Sequence, residues 1–83
     1  MDTVAKRTQS RRYINQEEGE SFGLNVRKLR KKNKFTLQEL AYEADVDLST
    51  IHRIEKAELV ITLDLVFSIA KALKVQPKEL LDF

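Results

Sequence analysis

The side chains able to do chemistry in this sequence are cations and hydrogen-bond donors, not nucleophiles or metal ligands. There is no cysteine and a single histidine, His52. A disulfide framework, a thiolate metal site and a histidine-built zinc or haem centre are therefore not expected. No nucleophile stands in a pattern with a base and no glycine-rich phosphate loop is present, while the closely spaced Asp45 and Asp47 suit a turn and a helix cap. The chain is read as a non-enzyme with no cofactor and no metal. What remains is charge. Through Lys34 ten Lys or Arg residues face Asp2, Glu17, Glu18 and Glu20, a balance of +6; from Phe35 onward the balance is −4. A basic front half points to a polyanionic partner, nucleic acid before membrane, or else to a solvated tail and one solvated helix face.

The elements that position these side chains are helices. Eighty-three residues make one small domain, and 42% hydrophobic residues are enough for one compact core. Two glycines and one proline are too few for the tight turns of an all-β fold. No apolar run reaches the length of a membrane span and no signal-peptide core follows Met1, so the cytoplasm is the expected compartment. Residues 1–18, with Lys6, Arg7, Arg11 and Arg12, lack periodicity and read as a flexible basic N-terminal arm; residues 19–83 form the domain. From Glu20 the pattern is helical, with Phe22, Val26 and Leu29 on one face, and this helix is expected to end at Asn33 or Lys34, Asn being the better suited to a left-handed backbone. Thr36 with Glu39 is a capping box, and Phe35 with Leu40 a hydrophobic staple across it. The staple recurs around the caps Asp47 (Val46 with Ile51), Thr62 (Ile61 with Val66) and Gln76 (Val75 with Leu80), the last followed by Pro77 at the favoured first position. Helices follow over about 36–44, 47–56, 62–74 and 76–82. The apolar arc from Leu63 through Val66, Phe67, Ile69, Ala70 and Leu73 is wide enough to predict a central, buried fourth helix.

Between the second and third helices the link is only Asp45 and Val46, so the two must cross steeply, as in a helix–turn–helix. The run Leu40-Ala41, Asp45-Val46-Asp47, Ile51 and Ile54-Glu55 resembles the helix–turn–helix of the Cro and phage-repressor family. The likeness extends from Phe22-Gly23, Val26 and Arg30 to Thr62-Leu63, Ile69-Ala70, Ala72-Leu73 and Glu79-Leu80. It implies a compact, all-α, five-helix domain of the lambda-repressor type. It also implies that Arg30 and Glu55 form an ion pair joining the first and third helices. Asp45, Ala57 and Lys74 stand where the family usually has glycine, so the loop after the third helix is expected to take its own path. Leu37 stands where the family often has Gln, with Gln38 next, and Asp47 where a Ser cap is usual.

On this fold the third helix enters the major groove of duplex DNA with its N-terminal residues against base edges. Its outward positions are Leu48, Ser49, His52 and Arg53. A guanidinium can bond O6 and N7 of guanine together, so Arg53 leads, its alternative being an ion pair with Glu58. Ser49 can bond any base, Leu48 can touch a thymine methyl, and His52 can meet base or phosphate. Thr36, Gln38, Thr50 and Lys56 are the phosphate candidates, two of them at a helix start where backbone N–H groups are free. The resulting function is sequence-specific duplex binding by a small prokaryotic or phage-type transcriptional regulator. It acts as a homodimer, because one helix reads too few base pairs. Leu59, Val60, Ile61, Leu81 and Phe83 are the candidate dimer surface. The alternative is a protein-interaction module on the same fold, such as an antitoxin or a regulatory subunit, which the acidic rear half and Asp47 favour.

Overall fold

The computed structural model describes residues 16–83. Among these residues there are five helices: α1 Gln16–Lys32, α2 Leu37–Ala44, α3 Leu48–Glu55, α4 Leu63–Leu73 and α5 Pro77–Leu80. There is no strand among the described residues. The expected arm lies outside them up to residue 15. Its last three residues belong to α1, which starts at Gln16 rather than near Glu20 and carries Glu17 and Glu18 in its first turn, where carboxylates favour the positive end of the helix dipole.

The starts of α2, α4 and α5 are built by local hydrogen bonds. At α2 the Thr36 hydroxyl accepts from the Glu39 N–H at 3.0 Å and the Glu39 carboxylate accepts from the Thr36 N–H at 2.8 Å, the reciprocal bonds of a capping box. The Thr62 hydroxyl accepts from the Leu65 N–H at 3.2 Å to cap α4, and the Glu79 carboxylate accepts from the Gln76 N–H at 3.0 Å beside Pro77. The α3 start differs from expectation. Asp47 holds the extended N-cap backbone, but its carboxylate makes no capping hydrogen bond. The staple residues Phe35, Val46, Ile61 and Val75 are partly buried against the core, and their partners Leu40, Ile51, Val66 and Leu80 are fully inside it.

Four helices end in the same way, with a left-handed residue that is not glycine. Lys34, Asp45, Ala57 and Lys74 have φ of 61°, 58°, 59° and 61°. At each, the following N–H reaches back to a carbonyl five residues earlier: Phe35 to Arg30, Val46 to Ala41, Glu58 to Arg53 and Val75 to Ala70. This is the Schellman closure. Two expectations are corrected here. Lys34, not Asn33, takes the left-handed turn after α1, while the Asn33 amide donates to the Leu29 carbonyl at 2.9 Å. The loop after α3 turns through a left-handed Ala57, where a glycine was the easy solution, because the 2.8 Å bond from Glu58 to the Arg53 carbonyl requires that closure.

The core is formed by Phe22 and Val26 of α1, Leu40, Ala41 and Ala44 of α2, Ile51 and Ile54 of α3, four residues of α4 and Leu80. α1 lies across α3, α4 and α5, and α2 packs on α3 and α4. The contact of α1 with the end of α3 is close: a Cβ on Gly23 would stand 2.4 Å from the Ile54 carbonyl oxygen. Gly23 is thus a packing glycine whose missing side chain lets two backbones meet. α4 is not buried all round. Val66, Ile69, Ala70 and Leu73 face inward, but Leu63 is 69% and Phe67 54% exposed, leaving an i, i+4 apolar pair on the outer face. Leu81 lies beyond α5 and is exposed, so Leu80 alone anchors that end; the Asn25 amide secures it by donating to the Leu80 carbonyl at 2.9 Å.

Candidate nucleic-acid interface

The α2–α3 turn is built by three residues. Asp45 bends the chain left-handed, the Val46 N–H closes on the Ala41 carbonyl at 3.0 Å, and Asp47 re-enters extended backbone to start α3. Ala41, 3% exposed, has a side chain small enough for α3 to pack on α2. With Ile51 and Ile54 turned inward, the helical period turns Leu48, Ser49, His52 and Arg53 outward, and all four are exposed. Lys56 follows at the C-cap, also exposed, whereas Thr50 is partly buried at the flank. Among the described residues Arg53 has no carboxylate within ion-pair range, so its guanidinium is not tied to Glu58.

The helix is held from behind. Arg30 Nε and Nη2 donate to the two oxygens of Glu55 at 2.7 and 3.1 Å, a bidentate pair, and Nη1 donates to the Phe35 carbonyl at 2.9 Å. Arg30 is 9% exposed. One guanidinium thereby ties the end of α3 to α1 and to the start of α2, fixing the angle at which α3 is presented. Its charge is spent inside the fold.

At the start of α2 the Thr36 oxygen and the Glu39 carboxylate are engaged with each other's backbone, so Thr36 has its hydroxyl hydrogen, but not its N–H, to give to a phosphate. The Leu37 and Gln38 N–H groups have no intrahelical partner by position, and the Gln38 side chain is exposed. Two hollows flank α3. One of about 240 Å³ is lined by Arg27, Arg30, Leu37, His52, Glu55 and Lys56. The other, about 400 Å³, lies among Leu37, Leu48, Ser49 and His52. The first brings Arg27 of α1 beside His52 and Lys56, a placement that the reading of α1 as one solvated basic face missed. The signal was available: Arg27 stands one turn before Arg30, and a residue three positions away shares its face.

Of the candidate dimer residues, Val60, Leu81 and Phe83 are exposed. Leu59 and Ile61 are partly buried against the chain's own core. Leu63 and Phe67, read from sequence as buried, add to the exposed apolar surface of α4. No group of three or more metal-ligating side chains, and no helix long and apolar enough to cross a membrane, occurs among the described residues.

Similar sequences and folds occur in known proteins. Over 63 residues the chain is 43% identical to the control protein C.BamHI of Bacillus amyloliquefaciens, which spans 75% of this chain and 78% of that one. Its fold is similar to the crystal structure of the restriction-modification controller protein C.AhdI of Aeromonas hydrophila, with a TM-score of 0.75, 26% identity, and 77% and 97% of the two chains covered. It is likewise similar to the clp gene regulator ClgR of Corynebacterium glutamicum, with a TM-score of 0.72, 25% identity, and 76% and 82% covered. The Helix-turn-helix family HTH_3 matches residues 26–80, from the middle of α1 through α5, and the chain belongs to that Cro/repressor-type family.

Proposed function

We propose that this chain is a sequence-specific duplex-DNA-binding regulator of transcription that acts as a homodimer in the cytoplasm. The observation that carries the reading is the outward row Leu48, Ser49, His52 and Arg53 on a helix fixed by the Arg30–Glu55 pair, with no ion pair on Arg53 among the described residues. Base edges meet α3. Phosphates meet Thr36, Gln38, Thr50 and Lys56, with Arg27 added from α1. The basic residues Lys6, Arg7, Arg11 and Arg12 contribute to the same attraction. The relatives named as control and controller proteins support a narrower role, the control of restriction–modification genes. No catalytic role is assigned.

The partner copy is proposed to meet the exposed apolar surface of Val60, Leu63 and Phe67, with Leu81 and Phe83 from the C-terminal end. Two α3 helices are then presented to successive major grooves. The test is titration of a fluorescent duplex at several salt concentrations with the unaltered chain, Arg53→Ala and Lys56→Ala. Affinity should fall steeply with salt. Arg53→Ala should cost about 1–3 kcal/mol and relax one base pair per half-site. Lys56→Ala should weaken every sequence alike and flatten the salt slope by about one unit. Binding that is absent at low salt, or untouched by both substitutions, would sink this reading in favour of a protein-interaction module.

A further inference from the structure

The hollow of about 400 Å³ lined by Leu37, Leu48, Ser49 and His52 is not explained by folding. Its two leucines occupy the first helical positions of α2 and α3. Leu48 is 46% exposed and lies outside the buried core, while Leu37 is partly buried and lines the hollow with the surface it has left. A serine or glutamine at either place would offer a polar edge a donor. The two leucine side chains offer none. The rest of its lining is Ser49 and His52, two of the residues that α3 turns outward. In the major groove the four base pairs present donors and acceptors with one apolar exception, the C5-methyl group of thymine.

Resting on the DNA-binding reading above, we propose that this hollow is a specificity subsite for the C5-methyl group of a pyrimidine, which enters between Leu37 and Leu48. Thymine and 5-methylcytosine carry the same methyl and differ beside it, with an acceptor O4 in one and a donor amino group in the other. The Ser49 hydroxyl both donates and accepts, and a neutral His52 ring carries one donor and one acceptor nitrogen. The polar rim therefore adapts to either neighbour, and the methyl is what the leucines select. Uracil or unmethylated cytosine at that position leaves both leucines facing water. Burial of one methyl is worth about 4-fold in affinity, so a two-fold site that loses both methyls binds about 16-fold more weakly.

The experiment uses the full chain and a duplex recovered by selection from random sequence. Each thymine is replaced in turn by deoxyuridine, which lacks only the methyl, and each cytosine by 5-methylcytosine. Dissociation constants are measured for the unaltered protein, Leu48→Ala, Leu48→Gln and Arg53→Ala, with thermal melting to confirm that each variant is folded. The expected result is one thymine per half-site whose methyl is worth about 4-fold, a ratio that falls to unity in both Leu48 variants and survives in Arg53→Ala. At that position, better binding of 5-methylcytosine than of cytosine shows that the methyl is accepted from either pyrimidine. A uracil penalty without that gain assigns the subsite to thymine. Indifference to every thymine methyl, or a uracil penalty that persists in the Leu48 variants, overturns the subsite and leaves DNA binding standing. Failure to retain any duplex overturns both.

Discussion

Lys74 holds φ at 61° with its side chain in solvent, so its backbone geometry contributes strain without packing in return. A left-handed residue with a Cβ costs roughly 1–2 kcal/mol relative to glycine, partly offset by the greater freedom of glycine in the unfolded chain. Lys74→Gly is therefore expected to stabilise the fold by about 1 kcal/mol and raise the melting temperature by about 4–8 °C in a calorimetric scan. An unchanged or lower midpoint would contradict the Schellman geometry described for α4. Gly23 behaves in the opposite sense. A Cβ there would press on the Ile54 carbonyl, which is backbone and cannot swing away, so Gly23→Ala should cost about 1–3 kcal/mol in denaturant unfolding. Removing Arg30 would leave the Glu55 carboxylate buried without its guanidinium, and Arg30→Ala should cost about 3–5 kcal/mol. At this scale the sequence was unevenly legible. The Arg30–Glu55 pair followed from a resemblance. The need for glycine at 23 did not, because it arises only when α3 arrives against α1. The left-handed turn fell on Lys34 instead of Asn33 because closure on the Arg30 carbonyl, not residue preference, selects the position.

Four of the five helix starts carry their own signals in adjacent residues, which is why α2 to α5 were legible to within a residue or two at their starts. Thr36 with Glu39 and Thr62 are capped as their spacing requires. Asp47 is the exception with a consequence. Its carboxylate contributes a negative charge at the start of α3 and no capping bond. Asp47→Ser is therefore expected to tighten binding to specific and random duplex together, since it removes a charge that repels phosphate, without loss of thermal stability. Weaker binding to both duplexes would show that the carboxylate positions α3 in some other way. The burial of α4 was legible only in part. Its apolar arc is wider than the surface that α1, α2 and α5 cover, and periodicity cannot say which edge of a wide arc stays uncovered. Which residues of α3 Arg27 stands beside depends in addition on the crossing of α1 over α3.

The described residues present one exposed row on α3, Leu48, Ser49, His52 and Arg53, and an exposed apolar pair on α4, Leu63 and Phe67. Leu63 and Phe67 stand one turn apart on α4 with both side chains in solvent, a pairing that suits an association site. Phe67→Lys is expected to give a monomer in sedimentation at tens of micromolar, with helix content retained and cooperative duplex binding lost; a dimer that survives the change would place the interface elsewhere. The uneven charge of the sequence, basic before Phe35 and acidic after it, forecast a polyanionic partner but not its orientation, which depends on how the helices cross. If two copies of α3 read one two-fold site, the sequences that the full chain selects from random duplex carry that symmetry. The expected product is a family of sequences with inverted half-sites whose centres lie about 10 bp, or a multiple of that, apart, each half carrying a guanine opposite Arg53. Enrichment of no sequence, or of single asymmetric sites that Arg53→Ala selects equally well, would contradict it.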